Sequence, residues 1–208
     1  MLVREDSAKI GRRHGVVTVL RDDLSDFYNV AVRTVDWDKE GRVAMVRLQS
    51  KTDPKAKVVI YNILSVAGSG LPYRDPESGV KRDTKHDRKH EFQNLLMREC
   101  KRHEAERWNV LLAGNMHVVL DELDTKTRSG GMPFEHIVAS KKFNKKMLTG
   151  GDEKHGGFKG VDIWRKMNER QKQYTFIPRV GGTQRQSDFF LAGSQAWEKG
   201  CVKDWNFG

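Results

Sequence analysis

Apolar and polar positions alternate in short runs along the first third of this chain. Residues 15–21 (GVVTVLR) make a brief apolar run behind the basic Arg12-Arg13-His14, and residues 29–35 make a second β-rich stretch. Residues 36–41 (DWDKEG) carry turn formers, and residues 42–48 (RVAMVRL) alternate as a half-buried strand does. The two strands flanking that turn predict a hairpin. A further turn at 51–57 centres on Asp53-Pro54 and leads into 58–64 (VVIYNIL), a continuous apolar strand. Four strands ahead of any helix predict a sheet with antiparallel pairing rather than a plain βαβ repeat.

The period then changes. A glycine- and proline-marked loop over 66–80 and a charged run over 81–90 (KRDTKHDRKH) precede a helical pattern that reaches to about residue 107. Phe92, Leu95, Leu96, Cys100 and His103 recur every three or four positions and form one stripe, so Cys100 is expected as a core thiol. His86, His90 and His103 also share helical spacing, but no acidic or cysteine partner completes a ligand set. They are expected on a solvated charged face.

Residues 108–124 (WNVLLAGNMHVVLDELD) hold a buried strand, Val110-Leu111-Leu112, that delivers the polar turn Gly114-Asn115-Met116-His117 at its carboxyl end. Such a strand end is where α/β proteins place chemistry, because the rigid sheet aims the side chains of the following loop. Three carboxylates follow the turn, Asp121, Glu122 and Asp124. Downstream, Gly130-Gly131-Met132-Pro133 breaks the chain and 134–143 predicts a short helix. The glycines of 149–160 fit neither a P-loop nor a dinucleotide fingerprint. One or two helical turns are expected at 161–169, a strand at 174–177 closed by Pro178, and a strand at 188–191. Ser194 is expected to cap a short helix through Lys199, and a last strand is expected at 201–207.

Composition narrows the classes. A chain of 208 residues with 37% hydrophobic content reads as one domain with a sizeable core. No apolar run approaches the ~20 residues of a membrane span, and no secretory pattern is present, so a soluble, intracellular protein of the nucleus or cytoplasm is expected. Two cysteines, Cys100 and Cys201, are too few for a disulfide framework and fit a reducing compartment. Lys plus Arg is 38 against 28 Asp plus Glu, a formal charge of +10. That balance fits a nucleic-acid partner or a solvated basic surface, with Arg12, Arg13, Lys81, Arg82, Lys141 and Lys142 as possible contacts.

The order of these fragments resembles the endonuclease/exonuclease/phosphatase superfamily, the deoxyribonuclease I-like fold. The nearest likeness is to apurinic/apyrimidinic endonucleases and to endonuclease domains of non-LTR retrotransposons. Gly41-Arg42-Val43 resembles the turn and strand of the family's second hairpin, and residues 62–68 (NILSVAG) resemble its N-V-Y-x-P-N-x segment. Residues 110–117 resemble the V-L-x-G-D-x-N hallmark. Asp162-Ile163-Trp164-Arg165 with Tyr174-Thr175-Phe176 resembles the D-x-W-R and Y-T-W pair, and Asp188-Phe189-Phe190-Leu191 resembles the R-x-D-Y-x-L strand. Residues 204–208 resemble the lead-in to a final Ser-Asp-His. The resemblance implies an α/β, four-layer sandwich of two mixed sheets with outer helices. A single domain over residues 1–208, incomplete at both ends and lacking the first and last strands, is expected.

The resemblance also implies Mg2+-assisted phosphodiester or phosphomonoester hydrolysis. It places catalytic positions at Asn115, His117 and Asp188, and substrate-positioning positions at Leu64, Ala67, Gln186 and Arg185. Most of these depart from the family pattern. The hallmark Asp is Asn115, whose amide can neither take a proton nor offer a metal negative charge. The hallmark Asn is His117, the Tyr is Leu64, the Pro is Val66, the Asn is Ala67, and the Arg of R-x-D is Gln186 with Arg185 beside it. Asp188 alone matches. A rebuilt site would draw on His117 and one of Asp121, Glu122 or Asp124. Three readings follow: a retrotransposon-derived member by descent with an impaired centre, a non-catalytic nucleic-acid-binding module, or a phosphatase-like or protein-interaction domain on the same scaffold.

Overall fold

The computed structural model describes residues 2–4, 15–126, 132–150, 156–179 and 182–202. Two short strands, β1 (Leu2–Arg4) and β2 (Val17–Val19), pair antiparallel, and a four-residue helix, α1 (Leu24–Phe27), leads into β3 (Tyr28–Arg33). The expected hairpin follows, with β3 turning into β4 (Val43–Ser50). Asp38 fastens the turn: its carboxylate accepts the backbone N–H groups of Glu40, Arg42 and Val43 at 3.1, 2.6 and 2.8 Å. The apolar run becomes β5 (Lys57–Leu64), antiparallel to β4.

The stretch expected to be a loop contains β6 (Pro72–Arg74), which pairs with β7 (Lys81–Thr84). Tyr73 holds this ribbon in place by donating its hydroxyl to Glu40 at 3.0 Å. Thr84 ends β7 and caps α2 (Lys85–Ala105), accepting from Asp87 N–H at 3.2 Å while Asp87 accepts from Thr84 N–H at 3.0 Å. Such a reciprocal cap is worth about 1 kcal/mol. β8 (Asn109–Asn115) returns parallel to β5, and β9 (Thr125–Lys126) follows a 3₁₀ turn at Glu122–Asp124. α3 (Phe134–Met147) runs four residues beyond its expected end. Then come β10 (Val161–Asp162), α4 (Ile163–Met167), β11 (Gln184–Arg185), β12 (Asp188–Ala192) and α5 (Ser194–Glu198).

Six strands form one mixed sheet in the order β10-β12-β8-β5-β4-β3, whose single parallel pair is β5 with β8. A long crossover is what a parallel pair requires, and α2 supplies it. Alternation along β5 sends Val59, Tyr61 and Ile63 into the core beneath α2, while Val58 and Ile60 pack on the opposite face with Ile163 and Ala196. Phe92, Leu96 and Cys100 of α2 and Phe143 and Met147 of α3 meet the first face. Each such side chain contributes about 1.5–3 kcal/mol by leaving water. This is the expected α/β sandwich with outer helices, but among the described residues only one mixed sheet forms, where two in four layers were expected. The remaining pairings among the described residues are three two-stranded ribbons, β1–β2, β6–β7 and β9–β11. No helix among the described residues is long and apolar enough to cross a membrane.

Several local expectations need correction. The expected strand at 174–177 reduces to a bridge between Phe176 and Arg185, because Thr175 Oγ1 takes the N–H groups of Ser187 and Asp188 at 3.1 and 3.2 Å. Ser194 is the first residue of α5 and does not cap it; Gly193 holds the cap position without a side-chain bond. His103 is not solvated: 1% exposed, it bonds the Tyr61 hydroxyl through Nδ1 at 2.7 Å. Its place on the apolar stripe outweighed its polarity. Cys100 is buried as expected, and burial pushes its thiol pKa well up. Residues 201–202 form no strand, and 203–208 lie outside the described residues.

Candidate functional site

β8 ends at Asn115, and register sets Asn115 opposite Leu64 of β5 on one side and Asp188 of β12 on the other. Three positions chosen from the sequence are therefore neighbours across three strands. The close approach depends on Gly114, at φ 128°, where a Cβ would come within 2.1 Å of the Ile63 carbonyl oxygen. Beyond it the Asn115 side chain closes its own turn: Oδ1 accepts His117 N–H at 2.9 Å and Nδ2 donates to Ser187 Oγ at 3.3 Å. His117 adopts φ 50°, a left-handed conformation unusual for a residue other than glycine. Lys89 of α2 pins it by donating Nζ to the His117 carbonyl at 2.6 Å.

His117 opens onto a cleft of about 570 Å³ lined also by Glu40, Arg42, Leu64, Ala67 and Tyr73. The carboxylate in this cleft is fully engaged. Glu40 accepts from Arg42 Nε at 2.5 Å, Arg88 Nε at 2.8 Å and the Tyr73 hydroxyl. Burial pushes the Glu40 carboxyl up, but Arg42 and Arg88 outweigh it and hold the pKa below the usual value.

Around the turn the field is positive. Burial, then Lys89, Arg185 and Arg42, brings His117 down to about 4. His136, on the first turn of α3, falls to about 4 through burial, Lys89 and Arg185. Burial and Arg185 bring Lys89 itself to about 8. Both imidazoles are thus neutral at pH 7, and Lys89 remains mostly charged.

The other expected positions separate into roles. Gln186, 3% exposed, sits beside Arg185 and donates its backbone N–H to the Asp124 carbonyl at 2.8 Å. Asp124 is buried in an ion pair with Arg165, and Asp121 accepts Leu123 N–H at 2.7 Å to start the 3₁₀ turn. These carboxylates hold the loop together. Lys81 and Arg82 lie exposed on β7, with Arg82 3.3 Å from Asp75, and Lys141 and Lys142 lie exposed on α3. Arg12 and Arg13 lie outside the described residues. Among the described residues no group of three or more His, Cys, Asp or Glu side chains is arranged to hold a metal ion.

Lys89 and His136 escaped the sequence reading. Lys89 had a signal: it stands three residues before Phe92 and seven before Leu96, on the buried stripe of α2, yet charge suggested a solvated face. His136 had none, since α3 is placed by packing on α2 and by bonding the loop after the turn, where Ser140 Oγ accepts Val119 N–H at 3.1 Å and Asn144 Nδ2 donates to the Leu120 carbonyl at 3.3 Å.

No family model and no curated protein sequence matches this chain. Solved structures do. The catalytic domain of Xenopus laevis APE2 matches over 77% of this chain and 48% of its own, at 18% identity and TM-score 0.51. An AP endonuclease from Archaeoglobus fulgidus matches over 82% and 59%, at 18% identity and TM-score 0.49. The 3'-5' exonuclease NExo from Neisseria meningitidis matches over 80% and 57%, at 14% identity and TM-score 0.48. The chain thus spans about half to three fifths of the length of these structures. At such identity the APE2 likeness speaks for the fold alone: this chain shares the fold of that catalytic domain over the matched residues.

Proposed function

We propose that this chain is a nucleic-acid-binding domain on a nuclease scaffold whose hydrolytic centre is impaired. The observation that carries the reading is Asn115. At the strand end where the family's water-activating carboxylate would stand, an amide spends one polar atom on the turn, accepting His117 N–H, and the other on Ser187 Oγ just before β12. Mg2+ fits this setting poorly. It takes an octahedron of oxygen ligands, usually including one or two carboxylates. Here Asp188 faces a turn whose other near groups are the imidazoles His117 and His136, the ammonium of Lys89 and the guanidinium of Arg185. A divalent cation would sit among like charges. His117 does not substitute as a base at neutral pH, because a group near 4 has little driving force to take a proton.

Retention of binding is supported by the same positive field and by the formal charge of +10. Polyanion binding of this type weakens steeply with salt, because each neutralised phosphate releases counterions.

Two assays test the reading. Purified protein with Mg2+ should leave plasmid and abasic-site DNA intact, and cleavage that His117→Ala abolishes would overturn the impairment. Fluorescence anisotropy with labelled DNA should give an affinity that falls at least about tenfold between low and physiological salt. Absent or salt-independent binding would overturn the second half.

A further inference from the structure

β3 ends the main sheet, and its six residues have a neighbouring strand, β4, on one side only. Lys51 N–H donates to the Phe27 carbonyl at 3.0 Å, and Leu64 N–H donates to the Arg42 carbonyl at 2.8 Å. With the register that pairs Tyr28 with Ser50 and Arg33 with Met45, both bonds fix the same alternation. Asn29, Ala31 and Arg33 turn their backbone groups towards β4, while Tyr28, Val30 and Val32 turn theirs outward.

Two of the outward groups are satisfied within the chain. Tyr28 N–H donates to the Leu24 carbonyl of α1, and the Val32 carbonyl accepts Arg33 Nη1 at 3.2 Å. Among the described residues nothing bonds the N–H groups of Val30 and Val32 or the carbonyls of Tyr28 and Val30. Sheet edges are ordinarily guarded by Pro, Lys, a bulge or sheer shortness. The opposite edge, β10, is two residues long. β3 contains neither Pro nor Lys and pairs with β4 without a register shift. Phe27, immediately before it, is 64% exposed.

The pattern of open and closed groups selects the partner. With a second β3 laid antiparallel and Val30 opposite Val30, each Val30 N–H meets the other Val30 carbonyl. Each Val32 N–H meets the other Tyr28 carbonyl. The remaining facing pair is Tyr28 N–H with the Val32 carbonyl, the two groups that each chain has already satisfied. No edge donor or acceptor is then stranded. Tyr28 faces Val32 and Val30 faces Val30 on one side of the sheet, apolar cross-strand pairs that favour association. Asp26 stands just before β3 and Arg33 ends it, so antiparallel pairing carries each basic end to the other's acidic start.

We propose that β3 is a homodimer interface. Two copies join antiparallel about Val30, and the six-stranded sheet of one continues into that of the other across a two-fold axis.

Sedimentation equilibrium of the full chain over a concentration series should show the mean mass rising from one chain towards two. Over the same series, hydrogen exchange at the Val30 and Val32 amides should slow at least about tenfold, and more than at Asn29 and Ala31, which already donate to β4. Val30→Pro removes an outward N–H and leaves the β4 bonds in place, a position at which edge strands accept Pro. It should weaken dimerisation at least about tenfold while keeping the wild-type far-ultraviolet spectrum. A wild type that stays monomeric overturns the interface, and so does a dimer whose Val30 and Val32 amides exchange as in the monomer. Protection of those amides at every concentration in a monomer would mean the edge is covered by its own chain, and also overturns it. A folded Val30→Pro that dimerises as tightly as wild type does the same. Should Val30→Pro fail to fold, wild-type mass and exchange decide alone.

Discussion

Glu40 shows how much one side chain can hold. It stood in the sequence as part of a turn, DWDKEG, and nothing in that local pattern marks it as buried. In the fold it is 6% exposed and accepts from two arginines and a tyrosine drawn from the turn before β4, from α2 and from β6. Glu40→Gln leaves Arg42 and Arg88 buried without their counter-ion, and should cost about 3 kcal/mol in urea unfolding at pH 7. The sign of its pH dependence follows from the lowered pKa. A depressed carboxyl contributes stability above its ordinary value of 4.5 and loses it as pH falls through the folded value. The gap between wild type and variant should therefore narrow below pH 4.5, and a gap that widens there would contradict the assignment.

At the scale of elements, β8 and α2 decide the site between them. The periodicity that predicts both is plain, although α2 begins at Lys85, within the charged run expected to precede it, and β8 runs on from the expected Val110–Leu112 to Asn115. Less plain is why β8 tolerates so near a neighbour, for which Gly114 is the reason. Gly114→Ala puts a methyl group against the Ile63 carbonyl at a φ that L residues rarely adopt. It should cost more than about 1 kcal/mol by chemical denaturation, with altered amide shifts in β5 and β8. A neutral result would mean the two strands can slide apart freely. The turn Gly114-Asn115-Met116-His117 was legible as the place of the candidate site. Its sign was not, since the positive charges arrive from α2 and β11, far away in sequence.

Over the whole molecule, buried imidazoles set how stability follows pH. His117 and His136 have folded pKa values of about 4 against an ordinary 6.5, so the unfolded chain binds more protons between those limits. Their contribution is present above pH 6.5 and is lost as pH falls towards 4. Asp162 acts oppositely: burial raises it from 3.8 to about 6, so its contribution is present below 3.8 and is lost as pH rises through 6. Two imidazoles against one carboxyl predict net loss of stability between pH 6.5 and 4. Urea midpoints across that range should fall, and the slope should flatten when both histidines are replaced by Gln. A midpoint that rises on acidification would refute the neutral, buried state of this pair.

Alternation and three-to-four-residue periodicity settled, from sequence alone, the β3–β4 hairpin, the apolar β5, the core stripe of α2 and the strand that carries Asn115. These are local consequences of side-chain polarity and backbone geometry. Motif order was enough to indicate the scaffold, and Asn115 was enough to doubt the hydrolytic centre. Tertiary structure alone decided which polar residues lie inside. Lys89 and His103 are buried because packing on the sheet covers a whole stripe whatever side chain stands there, and α3, which carries His136, is set by contact with α2 and by hydrogen bonds to residues 119 and 120. The charge of a site is a sum over residues brought close in space, so the positive field around His117 belongs to the fold and to no segment of the sequence.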